Sequence, residues 1–219
     1  MLEIKELLDL SRTIAAPLFD GKTYPWEALE GIADYIRALG PTLDPEKFDH
    51  PAEEVWIAKD ATVFASAYIA GPCIIDEGAE VRHCAFIRGS AIVGKNAVVG
   101  NSTELKNVVL FDNVQVPHFN YVGDSILGYK SHMGAGCITS NVKGDKKLVV
   151  IHNGGEEIPT GRKKVGAILG DHVEVGCNSV LNPGTIIGRE SRIYPTSCVR
   201  GVIPEKTICK LDGTLVPLE

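Results

Sequence analysis

The feature that most constrains this chain is a six-residue beat that begins at Val55. A large apolar residue falls at Ile57, Val63, Ile69, Ile75, Val81, Ile87, Val93, Val99, Leu105 and Phe111. Two places before each stands a small or β-branched residue: Val55, Ala61, Ala67, Cys73, Ala79, Ala85, Ala91, Ala97, Thr103 and Val109. The beat returns at Leu169, Val175, Leu181, Ile187, Ile193 and Val199, with Ala167, Val173, Ser179, Thr185, Ser191 and Ser197 as the small partners. Residues two apart on a strand share a side, so both marked positions face one interior. A hexapeptide repeat specifies a parallel β-helix, three hexads making a coil of about 18 residues whose neighbours pair as parallel strands. Handedness cannot be read from the period. A chain with 6% aromatics and 23 glycines suits an interior of small aliphatics and a backbone that turns tightly. The expected fold is mainly β, a parallel β-helix over residues 51–205.

The flanks break the beat. Residues 1–50 read as helical, with Ile4, Leu7, Leu8 and Ser11 on one face and a second helix from Pro25 carrying Trp26, Leu29, Ile32 and Ile36 before Gly40-Pro41. They are expected to form a small N-terminal helical cap, since an open prism end is a bare strand edge. The tail, residues 206–219, is expected to cap the other end as a hairpin around Asp212-Gly213. Between them, residues 142–166 carry no beat. Leu148–Ile151 and the Asn153-Gly154-Gly155 turn predict an inserted hairpin loop projecting from a corner.

Composition removes several functions. A net charge of −6 over 219 residues argues against a nucleic-acid or acidic-membrane surface. No apolar run reaches the roughly 18 residues of a membrane span, and the start MLEIKELLDL is amphipathic rather than a signal peptide. Six cysteines without a CxxC pair read as reduced thiols in a cytoplasmic protein. No nucleotide-binding glycine loop precedes a helix, and no nucleophile elbow is present.

Chemistry is expected in residues 101–128, where the count drops to five between Phe111 and Val116 and His118 follows. A histidine near a dent is poised as a general base near neutral pH; a histidine satisfied by corner backbone is the plainer alternative. Arg88 and Lys106 each follow an inward aliphatic, 18 residues apart, so they should stack one coil apart and offer two cations to an anion. Solvated surface charges, with Glu104 pairing either, explain them equally well. His83 and His118 lie near two coils apart, but zinc needs a third ligand, and no metal site is assigned.

The segments PHFNYVGDSILG (117–128), MGAGCITSNVKGDKK (133–147) and NSTELK (101–106) give the chain a resemblance beyond its fold. It resembles the acetyltransferase half of bifunctional sugar-1-phosphate nucleotidylyltransferase/acetyltransferases. The stretches GRKKVGAILGDHVEVG (161–176) and NPGTIIGRESRIYP (182–195) are similar to archaeal-type members. The likeness runs over about residues 55–205 and lacks the nucleotidylyltransferase domain. It implies a left-handed β-helix, acetyl-CoA as co-substrate, no metal, and N-acetylation of a hexosamine 1-phosphate in UDP-N-acetylhexosamine synthesis.

By the resemblance, His118 is the base and Asn141 stands near the reacting centre. Arg88, Lys106 and Tyr121 hold the sugar phosphate, and Lys147 enters from a neighbouring subunit. Ala135, Cys177 and Pro195 lie where backbone touches acetyl-CoA, while Glu104 supports His118 or Lys106. His132 replaces a sugar-binding asparagine. A homotrimer is implied, which would bury outward Ile92, Val98 and Val108. The alternative is a non-catalytic β-helix module that binds a sugar nucleotide or docks a separate nucleotidylyltransferase.

Overall fold

In the computed structural model, which describes residues 2–218, the beat becomes a parallel β-helix with three faces. On the first face Val55–Ile57 pair with Cys73–Ile75, and these with Ala91–Val93. The column continues through Val108–Leu110, Ser125–Leu127, Ala167–Leu169, Thr185–Ile187 and Val202–Ile203. The second face stacks Glu80–Val81, Val98–Asn101, Gln115–His118, His132–Met133, Glu174–Val175 and Arg192–Ile193. The third stacks Phe86–Ile87 under Glu104–Leu105, then Tyr121–Val122, Ile138–Thr139, Val180–Leu181 and Cys198–Val199. The inward aliphatics Ile75, Val81, Ile87, Val93, Val99 and Leu105 are fully buried, as the period requires.

The shortened steps fall elsewhere than between Phe111 and Val116. Val108 pairs with Ala91 and Leu110 with Val93, so the five-residue step runs from Leu105 to Leu110, and the next from Val122 to Leu127. Val108 and Leu110 therefore face the interior, while Val109 and Phe111 face outward. Each short corner turns on one left-handed residue, Asn107 (φ 56°) and Asp124 (φ 48°). Asn and Asp tolerate that conformation best among residues with a Cβ. The strands Glu104–Leu110 and Tyr121–Leu127 run unbroken through these corners, merging the first and third faces into one 14-stranded sheet.

The N-terminal segment lies along the first face rather than across an open end. Its helix Ile32–Leu39 packs on strands Cys73–Ile75, Ala91–Val93 and Glu104–Leu110, and its 3-10 helix Pro25–Glu30 packs on Tyr121–Leu127. The cause is an outward apolar stripe, Ile74, Ile92, Val109 and Ile126, each fully buried there. Phe111 adds an edge-to-face contact with Phe19 at 5.9 Å. Burying each such aliphatic contributes about 1.5–3 kcal/mol. Ile92 and Val108 are thus unavailable to a neighbouring subunit: the first lies under the chain's own helix and the second points inward. Strand Phe48–Ala52 pairs antiparallel with Val55–Ala58 and covers that edge.

The insertion forms the hairpin Val150–Asn153 with Glu156–Pro159. It folds back on the prism instead of standing free. Val149 and Ile151 are fully buried, and a Cβ on Gly184 would lie 2.9 Å and 3.3 Å from their side chains. The C-terminal tail pairs Thr207–Cys209 with Leu215–Pro217 around Asp212-Gly213, closing the far end as a hairpin.

Candidate functional site

Two corners bound the third face, and chemistry-bearing side chains collect at both. At the corner between the second and third faces a ladder of carbonyls runs through the coils. His83, Asn101, His118, Ala135 and Cys177 accept from the N–H groups of Ser102 (3.2 Å), Phe119 (2.8 Å), Gly136 (3.0 Å), Asn178 (2.8 Å) and Thr196 (2.8 Å). These residues, with Pro195 next to Thr196, form one column. His118 therefore stands directly before Ala135, Cys177 and Pro195. The neighbouring column carries Gly100, Pro117, Gly134 and Gly176, which put little in front of it. Close stacking demands this: a Cβ on Gly134 would come 2.7 Å from the Cys177 nitrogen.

The His118 corner is braced by hydrogen bonds. Its N–H donates to Asn120 Oδ1 (3.2 Å), and the buried Asn120 amide donates to the Gly134 carbonyl (2.8 Å). The His118 side chain is exposed. His83 lies two coils below with Asn101 between, its Nδ1 2.6 Å from Ser66 Oγ. Among the described residues no group of three or more His, Cys, Asp or Glu gathers as a metal site.

The other corner, between the third and first faces, is built on Asp124. Its carboxylate is buried and accepts from Lys106 Nζ (3.2 Å), Asn107 Nδ2 (2.9 Å) and Asn141 Nδ2 (2.5 Å). Asn141 Nδ2 also lies 3.2 Å from the Tyr121 hydroxyl, donating to it. Burial, followed by the nearby carboxylates of Asp124 and Glu104, raises the Tyr121 pKa against the lowering effect of Asn141. The phenol thus stays protonated and can donate to an anion. Asn107 and Asp124 occupy the same left-handed corner position in successive coils, directly above Ser90 (φ 51°).

The structure brings together Lys106, Tyr121 and Asn141 at one edge of the third face, and His118, Ala135, Cys177 and Pro195 at the other. Arg88 is stacked below Lys106, as the spacing predicts, but its guanidinium is held by Glu104 at 2.8 Å, which raises its pKa. Glu104 therefore serves Arg88 rather than His118 or Lys106. His132 stands apart on the second face, its Nδ1 2.8 Å from Glu174. Lys147 is exposed on the loop that leaves the prism after Asn141. Asp124, Asn107 and Asn120 escaped the sequence reading. The signals were present: Asn120 occupies an interior slot that alanine or threonine fills below, and Asp124 sits at a short step.

A cleft of about 860 Å³ lies elsewhere, between the N-terminal segment and Tyr129, Asp171 and Arg189. A cleft of about 530 Å³ adjoins the Asp124 corner and includes Lys106 and Asn107.

The family described as the GMPPB C-terminal domain matches residues 69–182. A bifunctional sugar-1-phosphate nucleotidylyltransferase/acetyltransferase of Sulfurisphaera tokodaii is 36% identical over 67% of this chain and 36% of its own length. The bifunctional protein GlmU of Methanococcus maripaludis is 36% identical over 60% of this chain and 32% of its own. The chain thus spans about a third of the length of these relatives. Among solved structures, the acetyltransferase domain of PglB from Neisseria gonorrhoeae overlaps with a TM-score of 0.35 at 16% identity, covering 91% of this chain and 80% of that one, too little to bear on mechanism. With the family match extending over more than half of its length, the chain belongs to the GMPPB C-terminal domain family.

Proposed function

We propose that this chain is an acetyl-CoA-dependent N-acetyltransferase acting on an amino-sugar 1-phosphate, glucosamine 1-phosphate or galactosamine 1-phosphate. The observation that carries the reading is the shared third face. His118 heads a column flanked by glycines at one edge, and Lys106, Tyr121 and Asn141 converge on Asp124 at the other. The bifunctional relatives named above support the reaction class.

In this reading the acetyl-CoA thioester lies along the Ala135–Cys177–Pro195 column. The sugar amine attacks its carbonyl carbon, and His118 takes the amine proton. The tetrahedral intermediate collapses to the amide, releasing the CoA thiolate, which is protonated in turn. Coil N–H groups stabilise the oxyanion. Tyr121, Arg88 and Lys106 face the phosphate. Lys147 acts from a neighbouring copy in a homotrimer, a state supported by the exposed Tyr68, Phe86 and Ile138 on the third face. We place the enzyme in the cytoplasm.

The test is release of free CoA from acetyl-CoA with each amino-sugar 1-phosphate, wild type beside His118→Ala. Loss of a general base is expected to lower turnover by about 10²- to 10⁴-fold. Turnover unchanged in the variant removes His118 from the mechanism.

A further inference from the structure

The two cations that stack on the third face are already neutralised within the chain. Arg88 is paired with Glu104 at 2.8 Å, and Lys106 with the buried Asp124 at 3.2 Å. Arg88, Glu104, Lys106 and Asp124 together carry no net charge, so their N–H groups can donate to a phosphate but the cluster brings no net positive charge to balance a dianion. The missing charge lies across the adjoining cleft of about 530 Å³. Its walls bring Lys106 opposite Arg162, Lys163 and Lys164, four cations against the carboxylates of Asp124 and Glu30.

The basic run reaches this place for a topological reason. The insertion leaves the prism at Asn141 and returns at Val165, whose N–H donates to the Asn141 carbonyl (3.1 Å). Gly166 N–H then donates to the Asp124 carbonyl (2.8 Å). The residues just before this re-entry, Lys163 and Lys164, are thereby carried to the Asp124 corner. Both are exposed and neither is in an ion pair among the described residues. Arg162 frames the cleft instead: its guanidinium reaches Glu30 at 3.2 Å, while its Nε is buried without a hydrogen-bond partner. Asn107 fastens the opposite wall by donating to the Leu29 carbonyl at 3.2 Å.

We infer that this cleft is a phosphate-binding site in which Lys163 and Lys164, from the returning arm of the insertion, hold the anion together with Lys106. A phosphate oxygen accepts from each lysine ammonium. That the phosphate belongs to the sugar acceptor rests on the acetyltransfer reading; the anion site itself does not.

The experiment is a calorimetric titration of the full chain with inorganic phosphate, pyrophosphate, glucosamine 1-phosphate and glucosamine. Lys163→Ala/Lys164→Ala is run beside a charge-matched control, Lys59→Ala/Lys210→Ala, with circular dichroism on each. The double variant is expected to lose at least tenfold in affinity for every phosphate-bearing probe, with the control near wild type. Losses shared equally by the control reduce the effect to net charge and overturn the site, as does affinity within twofold of wild type in the double variant. Selective loss for inorganic phosphate and pyrophosphate with equal binding of the two sugars keeps the site but places free phosphate there, not the acceptor. CoA release is measured separately. Absent turnover with intact, lysine-dependent phosphate binding sinks the acetyltransfer reading and leaves the site standing.

Discussion

Asp124 concentrates the demands of this fold in one side chain. It is a buried anion in a left-handed backbone position, and it accepts from Lys106, Asn107 and Asn141. Removing one partner of a buried charge pair costs more than the pair contributes, because the remaining charge keeps its desolvation penalty. Asp124→Ala is expected to lower the unfolding free energy by about 3–5 kcal/mol in urea titration, and an unchanged midpoint would mean that the three donors rest elsewhere. Asp76 shows the opposite imbalance. Its carboxylate is buried, one oxygen accepts from the Glu77 N–H (2.8 Å), and the other has no partner. Burial raises its pKa above the ordinary aspartate value, more than the Glu77 N–H and Lys95 lower it. A carboxyl whose pKa rises on folding binds its proton more tightly in the folded state. Its contribution to stability therefore falls as pH rises from the ordinary value through the raised one. Asp76→Asn is expected to raise the melting temperature at pH 7, with the gain shrinking as pH falls below the raised pKa; a pH-independent difference counts against the buried charge.

The coil is the element, and its length sets where function can sit. Most six-residue steps pass through a two-residue turn or bend, whereas the two five-residue steps replace it with single residues, Asn107 and Asp124, and let two strands run through. Backbone spacing between coils also fixes which positions must be glycine. Gly134 lies against the Cys177 backbone, with a Cβ coming 2.7 Å from its nitrogen and 3.0 Å from its Cα. Backbone at that distance cannot swing aside as a flexible side chain would. Gly134→Ala is expected to cost about 1–3 kcal/mol of stability and, if acetyl-CoA lies along this column, to raise its KM more than it lowers kcat. A variant with wild-type melting and kinetics would show the column to be looser than its register implies.

At the scale of the whole molecule the N-terminal segment completes the prism's hydrophobic core from outside. It covers Ile74, Ile92, Val109 and Ile126 and reaches the later coils, where Asp9 N–H donates to Asp171 at 2.8 Å. Without residues 1–45 those side chains face water at about 1.5–3 kcal/mol each, along one continuous stripe. The truncated chain is expected to bind a hydrophobic dye and to aggregate on size-exclusion chromatography; a soluble species of unchanged melting temperature would assign the segment a role other than covering this face.

The period of six determined the fold by itself, because interior positions recur only if every coil returns the chain to the same angle. The inward sets around Ile75, Val93, Leu169 and Ile187 were legible for that reason, as was the stacking of Arg88 below Lys106. The double-sided apolar character of CII, AIV and AIL was also in the sequence, and it marks strands covered on both sides; which segment covers them is decided by packing. Only the tertiary structure moved the short step from the Phe111–Val116 interval to Leu105–Leu110, since a lost residue shifts register without declaring its corner. It also decided that Arg88 is held by Glu104 and that Lys163 and Lys164 stand beside Lys106. Those last residues line one cleft from 57 and 58 positions apart through the path of a folded-back loop, and no local pattern encodes where a loop comes to rest.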